Sequence, residues 1–108
     1  MVVTKIWAEQ LDGSGVTVNA THPGWVDTPG VKESLPAFYR LTRPLLRDMD
    51  EGTDTVLWLA TASSVATETG LLWHDRAPRS EYRLDKTIDS DADRARLWAE
   101  LSATVDAV

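Results

Sequence analysis

The spacing of apolar residues along the chain predicts three helices. The first is predicted over Met1 to Leu11, where apolar side chains recur at helical spacing until Asp12-Gly13 ends the pattern. The second is predicted from an Asp50 N-cap to about Ala62, and its nearly continuous apolar run over 56–60 predicts deep burial. The third is predicted to follow a Ser90 cap, with acidic residues in its first turn.

Two short runs rich in apolar or β-branched residues predict strands between these helices. They cover Val16 to Ala20 and Gly70 to Trp73. A proline-containing loop from Trp25 to about Asp48 has room for one or two short helices. Helix–strand–loop–helix–strand–helix order predicts an α/β fold with parallel strands. Two strands make a poor sheet by themselves, so either another chain completes the sheet or this sequence is a piece of a larger protein.

Composition and charge narrow the functional classes. The 108 residues include 17 acidic and 11 basic ones, and a net charge of −6 argues against a nucleic-acid partner. No apolar run approaches the roughly 20 residues of an integral membrane segment. Because there is no cysteine, disulfides, thiolate metal sites and a cysteine nucleophile are excluded, and we expect a cytoplasmic protein. The five tryptophans are predicted to be mainly core residues, with Trp25 as the exception.

The segment from Val16 to Thr28 resembles the short-chain dehydrogenases/reductases. In that family, a strand carries an asparagine that is followed after three residues by Pro-Gly and, after three more, by threonine. Asn19, Pro23-Gly24 and Thr28 occupy those positions here. Residues 50–60 and 69–75 also resemble the family's next helix and last strand, so the resemblance covers roughly residues 1–75.

This resemblance implies the C-terminal portion of a Rossmann-type, doubly wound parallel sheet in an NAD(P)-dependent oxidoreductase acting on a small carbonyl or alcohol. A loop at the carboxyl end of a parallel strand is where such sheets bind ligands. The residues that match the family's nicotinamide-side loop are Pro23, Gly24, Val26 and Thr28. Trp25, Phe38 and Tyr39 are the predicted walls of a substrate pocket. The resemblance is also compatible with a homo-oligomer.

Two features of the family are not found where the resemblance predicts them. The family's glycine cluster between a strand and a helix, which cradles the pyrophosphate, does not occur in the sequence, and a Tyr-x-x-x-Lys pair ending at Lys5 would need tyrosine at Met1. We therefore assign no catalytic residue and expect this chain alone to be inactive and to bind no NAD or NADP. We also expect the DNA before the Met1 codon to encode such a pair.

Other candidate sites remain open at this point. Asp89, Asp91 and Asp93 are spaced like calcium ligands, but Arg94 occupies the position that needs glycine, and two histidines do not define a metal site. We therefore predict no metal. A cluster of basic residues is interpreted as a solvated helix face, a lid for an anionic substrate or a membrane-surface helix; it comprises Lys32, Arg40, Arg43 and Arg47. The alternative to an oxidoreductase is a non-catalytic assembly module that pairs through its exposed sheet edge.

Overall fold

The helices follow the predicted order, and the computed structural model describes residues 1–82, 84 and 87–106. The α-helices are α1 (Val2–Gln10), α2 (Pro29–Ser34), α3 (Pro36–Thr42), α4 (Met49–Thr61) and α5 (Asp91–Asp106). Short 3₁₀ turns occupy Arg43–Leu45 and Ser63–Val65. The proline-spaced segment thus forms short helices, each starting at a proline that suits the first helical position.

A three-stranded sheet lies between the helices, in the order β1 (Ala20–Thr21), β2 (Leu72–His74) and β3 (Ala77–Arg79). Strand β1 is parallel to β2, so the connection through α2, α3 and α4 is a crossover. This mixed α/β arrangement confirms the predicted class and is consistent with part of a Rossmann-type fold. Strand β3 pairs antiparallel with β2, and this hairpin is absent from the sequence prediction.

The first strand is much shorter than predicted. Of the Val16 to Ala20 run, only Ala20 is in the ladder, because only residues 20 and 21 have partners in β2. Val18 is held differently: its N–H donates to Thr69 Oγ1 at 3.0 Å, and its carbonyl accepts from the Gly70 N–H at 2.8 Å. The β-branched residues therefore give an extended segment rather than a full strand.

The side chain of Asn19 ties this segment to the strand beside it. Its Nδ2 donates to the Glu68 carbonyl at 2.7 Å, while its Oδ1 accepts from the Leu71 N–H at 3.2 Å and from Trp73 Nε1 at 3.1 Å. One amide thus satisfies a carbonyl, a backbone N–H and an indole N–H. Asn19 consequently fixes where β1 sits along β2.

Helix α4 begins two residues earlier than predicted, so the assignment of Asp50 as its N-cap is wrong. Asp48 is the cap: its Oδ1 accepts from the Glu51 N–H at 2.8 Å, and Glu51 Oε2 accepts from the Asp48 N–H at 3.0 Å. This reciprocal capping box satisfies two N–H groups of the helix terminus. Asp50 instead lies inside the first turn, where its charge still favours the helix dipole.

The core is small and centres on one tryptophan. Trp73 is 4% exposed and packs edge-to-face on Trp58, with ring centroids 5.5 Å apart. The prediction that the tryptophans are mainly core residues is wrong, because Trp73 alone of the five is buried. The predicted deep burial of 56–60 is also wrong, since Leu57 is 62% exposed.

The chain exposes more surface than a folded monomer of its size. Its accessible surface is 8129 Å², whereas about 6,000 Å² is typical of a 12.0 kDa monomer. Its radius of gyration is 17.0 Å, against roughly 13 Å for a typical domain of this length. The apolar face of α4 borders an open groove of about 610 Å³ along residues 17–21. Much apolar surface therefore has no cover within the described residues.

Candidate functional site

The candidate loop leaves the carboxyl end of β1 and turns sharply at Gly24. Gly24 has φ +80°, a conformation that favours glycine, and its N–H donates to His22 Nδ1 at 2.9 Å. A Cβ at this position would lie 3.0 Å from Arg47 Cζ. The carbonyl of Pro23 accepts from Arg47 Nη1 at 3.4 Å. The predicted Pro-Gly pair therefore forms a defined turn against an arginine.

Val26 is held at an edge, with its own peptide groups pointing away from its partner. The bridge between Val26 and Arg47 is parallel: the Arg47 N–H donates to the Trp25 carbonyl and the Asp27 N–H donates to the Arg47 carbonyl, each at 2.8 Å. Alternation along an extended segment directs the N–H and C=O of Val26 to the opposite side. Within residues 1–82, 84 and 87–106 these two groups make no hydrogen bond. Among the described residues they are therefore an unpaired donor and an unpaired acceptor on one residue.

Thr28 combines a structural role with a free donor. It is the N-cap of α2, and its Oγ1 accepts from the Val31 N–H at 3.4 Å. Capping uses the hydroxyl as an acceptor, so its proton remains available to another group. This hydroxyl lies two residues beyond Val26, at the end of the same loop.

Trp25, Phe38 and Tyr39 are brought together beside the loop. The rings of Trp25 and Phe38 are 5.0 Å apart at an interplanar angle of 48°. The Tyr39 hydroxyl donates to Asp27 Oδ2 at 3.1 Å, which orients its ring. Trp25 remains 61% exposed, so these three side chains form an open aromatic wall rather than a closed pocket.

Arg47 links the loop to the sheet. No pattern in the sequence predicts this contact. Its guanidinium donates to Asp75 through both terminal nitrogens, with Nη2 2.8 Å from Oδ2. This hydrogen bonding holds the pKa of the Asp75 carboxyl below its usual value and raises the pKa of Arg47. Arg47 is therefore a scaffold residue, whichever of the three interpretations of the basic cluster applies to the other members.

The turn that carries Asp75 is strained and is held from two sides. Asp75 and Arg76 both have φ 55°, as in the two-residue hairpin turns that favour asparagine and glycine. The Arg76 N–H donates to the hydroxyl of Thr55, a buried residue of α4, at 3.2 Å. The Arg76 guanidinium pairs with Asp54, and this hydrogen bonding lowers the pKa of the Asp54 carboxyl. The hairpin is thus fixed to α4 as well as to Arg47.

The histidines pack beside the loop. The rings of His22 and His74 meet edge-to-face with centroids 5.5 Å apart. No group of three or more residues suited to metal binding occurs in the part of the chain that the structure describes.

A Tyr-x-x-x-Lys sequence does occur once, at Tyr82 to Lys86, which sequence reasoning missed. It follows the matching segment, whereas in the family the pair precedes it, and Tyr82 lies outside the helices. The Tyr82 hydroxyl donates to Asp89 Oδ2 at 2.7 Å, and this hydrogen bond raises its pKa. A neighbouring lysine would be expected to lower the pKa of a catalytic tyrosine. Lys86 lies outside the described residues.

Comparison with known proteins identifies the family. The chain is 38% identical over 99 residues to dehydrogenase/reductase SDR family member 12 of Bos taurus, covering 90% of this chain and 31% of that protein. It is 33% identical over 105 residues to retinol dehydrogenase 12 of Bos taurus, covering 91% of this chain and 31% of that protein. By sequence, the chain belongs to the short-chain dehydrogenase/reductase family.

Further comparisons define the extent of this relationship. The human SDR family member 12 is 37% identical over 83 residues, which are 76% of this chain and 26% of that protein. The chain spans about a third of the length of the curated relatives it matches. No family model and no solved structure matches it. Among the described residues, no helix has both the length and the apolar character needed to cross a membrane.

Proposed function

We propose that this chain supplies the nicotinamide side of the cofactor site in an NAD(P)-dependent oxidoreductase of its family. The residues assigned to the cofactor are Pro23, Gly24, Val26 and Thr28. Trp25, Phe38 and Tyr39 are assigned to the wall against which a small carbonyl or alcohol substrate packs. Catalytic proton transfer is assigned to residues outside this chain.

The observation that carries this proposal is the open peptide edge at Val26. A primary carboxamide has one carbonyl acceptor and an N–H donor, which complement the N–H and C=O of a single residue. The Val26 groups are unpaired among the described residues because Arg47 pairs with the residues on either side. The hydroxyl proton of Thr28 adds a donor to the same loop. When bound, NAD(P) would supply the hydride chemistry.

We further propose that the chain is the C-terminal portion of a longer enzyme. Two observations support this: coverage of about a third of its relatives, and an accessible surface well above that of a monomer of its size. The glycine-rich turn and the Tyr-x-x-x-Lys pair would lie in the preceding part. Reading the bases before the Met1 codon tests this, because their failure to encode such a pair in any frame would refute it.

Nuclear magnetic resonance of the ¹⁵N-labelled chain tests the carboxamide site directly. We expect millimolar nicotinamide mononucleotide to shift the Val26 and Thr28 amides more than nicotinic acid mononucleotide does. The acid analogue is the matched control, since its carboxylate cannot donate to the Val26 carbonyl. Equal shifts with the two compounds would refute the proposed site.

Two variants at Thr28 test whether its side-chain hydroxyl contributes to the site. Thr28→Ser keeps both a hydroxyl and an N-cap, so its response to nicotinamide mononucleotide should match that of the unchanged chain. Thr28→Val removes both and should weaken the response by about fivefold, as expected for a hydrogen bond of ~1 kcal/mol. Full NAD(H) and NADP(H) should give no detectable heat in calorimetry, because the adenosine and pyrophosphate contacts belong to the other part. Micromolar binding would contradict this division.

A second candidate function is a non-catalytic module that assembles through the free edge of β1. It is favoured by the open groove beside residues 17–21, which is bordered by apolar residues of α4. An exposed strand edge is a template for pairing with another chain. A stable, stoichiometric oligomer that gives no amide shift with nicotinamide mononucleotide would favour this function over the first.

A further inference from the structure

Positive charge is concentrated in the segment that forms α2, α3 and the 3₁₀ turn after them. Residues 29–47 hold four of the 11 basic residues and one of the 17 acidic residues of the chain. The segment therefore carries a formal charge of +3, and the remainder of the chain carries −9. The positive charge of this acidic protein is therefore concentrated in one segment of the chain.

Three of the four cations have no carboxylate partner among residues 1–82, 84 and 87–106. The Arg47 guanidinium is bound to Asp75. Lys32, Arg40 and Arg43 are exposed and form no ion pair with any carboxylate among the described residues. In the described part of the chain, no fixed carboxylate therefore neutralises their positive charge.

The same segment presents two highly exposed leucines. Leu41 and Leu45 are each 82% exposed, more than any other large apolar side chain of the described residues. On α3, Phe38 and Tyr39 are half-buried and contact the candidate loop, whereas the neighbouring Arg40 and Leu41 face solvent. Helix α3 thus separates an aromatic side from a side that mixes leucine and arginine.

We propose that this cationic surface, defined as Lys32, Arg40, Leu41, Arg43 and Leu45, docks on an anionic lipid bilayer. Each basic residue near such a bilayer is attracted by its negative surface potential. The two leucines are exposed to solvent in the structure. At a bilayer they can insert at the boundary between headgroups and acyl chains. Docking by this surface is peripheral and needs no membrane-spanning helix.

Because the three cations are exposed, we infer that they do not bind the substrate. The aromatic wall of Trp25 and Phe38 lies on the loop side of α3, whereas Arg40 points to solvent. The phosphates of a nucleic acid would also be repelled by the remainder of the chain, which carries a charge of −9. An anionic bilayer is planar and contacts only the side presented to it, so it fits a protein with one basic surface on an acidic body.

Vesicle flotation with the full 108-residue chain tests the proposal. The vesicles are phosphatidylcholine alone, or phosphatidylcholine with about 30% phosphatidylserine, in low and high salt. We expect binding to the anionic vesicles in low salt, loss of binding in high salt, and little binding to the neutral vesicles. Arg40→Glu with Arg43→Glu should weaken binding at least tenfold, since each reversal replaces attraction with repulsion. Leu41→Ser with Leu45→Ser should weaken binding without removing its salt dependence.

A control pair makes the same change in net charge elsewhere: Arg79→Glu with Arg96→Glu, both at exposed positions. This pair should bind within about twofold of the unchanged chain, and circular dichroism should show equal helicity in all variants. No binding to anionic vesicles, or equal losses in the control and the Arg40/Arg43 pair, would overturn the proposal. So would vesicle-independent self-association that the leucine pair abolishes, because it would make the surface a contact between copies. No nucleotide is present, so failure here leaves the proposed cofactor role untouched.

Discussion

Replacing Gly52 by alanine probes the packing of α4 against the candidate loop. A Cβ at Gly52 would lie 2.6 Å from Val26 Cγ2 and 3.2 Å from Val26 Cγ1. The first distance is too short for unmoved atoms, so either α4 or Val26 must shift. Because Val26 carries the open peptide edge, this substitution displaces the proposed carboxamide site.

Two opposing effects set the size of the change. Alanine is favoured over glycine inside a helix by at most about 1 kcal/mol. Overpacking of a tight contact costs about 1–3 kcal/mol. Gly52→Ala should therefore destabilise α4 by about 0–2 kcal/mol in the unchanged chain.

A second substitution reverses the sign of this effect. Val26→Ala removes both clashing methyl groups, and the remaining Val26 Cβ lies 3.5 Å from the new atom, an ordinary contact. In that background only the helix propensity remains, so Gly52→Ala should stabilise α4 by up to about 1 kcal/mol. The coupling between the two positions is then about 1–3 kcal/mol.

Amide hydrogen exchange along α4 measures these differences, because it reports local opening without requiring global two-state unfolding. Protection should fall for Gly52→Ala alone and rise for Gly52→Ala in the Val26→Ala background. If alanine changes protection equally in both backgrounds, the reasoning from the Val26 contact is refuted. The Val26 amide shift gives an independent readout, since it should move in the single variant.

Three further predictions concern the hairpin and the chain as a whole. In carboxyl titrations by nuclear magnetic resonance, Asp75 should protonate below its ordinary pKa, and its pKa should rise in Arg47→Met. The pairing therefore stabilises the fold above about pH 4, and this stabilisation is lost as pH falls through the lower folded pKa. An unchanged Asp75 titration in Arg47→Met would contradict this. Arg76→Gly relieves about 1–2 kcal/mol of left-handed strain and loses only an exposed ion pair, which contributes little, so hairpin amides should exchange more slowly. Faster exchange would contradict this and show that the Asp54 pair dominates. The isolated chain should be partly molten or oligomeric in ultracentrifugation and thermal melting, because its α4 face and β1 edge are open, and a sharp melt from a strict monomer would contradict this.

Local signals predicted the helices well and the strands poorly. The first and last helices follow from apolar spacing and from the Ser90 cap, whose Oγ accepts from the Asp93 N–H at 3.1 Å. The start of α4 was predicted two residues too late because Asp48 and Asp50 are both suitable N-caps. Asp48 is the cap in the structure because it exchanges two hydrogen bonds with Glu51. A strand depends on its partner as much as on its own residues, so β-branched composition overestimated β1.

The site depends on contacts that no local signal carries. The Pro-Gly turn and the capping threonine were visible as a sequence pattern. The hairpin was not, because Asp75-Arg76 lacks the glycine that usually marks such a turn, and its strain is offset by bonds from distant residues. Arg47 was grouped with the other three basic residues by charge alone, whereas its position opposite Asp75 is a property of the folded chain.

The three hydrogen bonds of Asn19 fix the register of the two-residue strand β1. The position of each later loop residue then depends on how many residues separate it from Asn19. A slip of one residue would turn every side chain of an extended segment to its other face. The Asn19 amide opposes such a slip, because all three of its partners would be lost together. The length from Asn19 to Val26 therefore sets where the peptide edge arrives opposite Arg47. Insertions before Val16 leave that length unchanged, whereas a single deletion between residues 19 and 23 would bring a different residue to the edge.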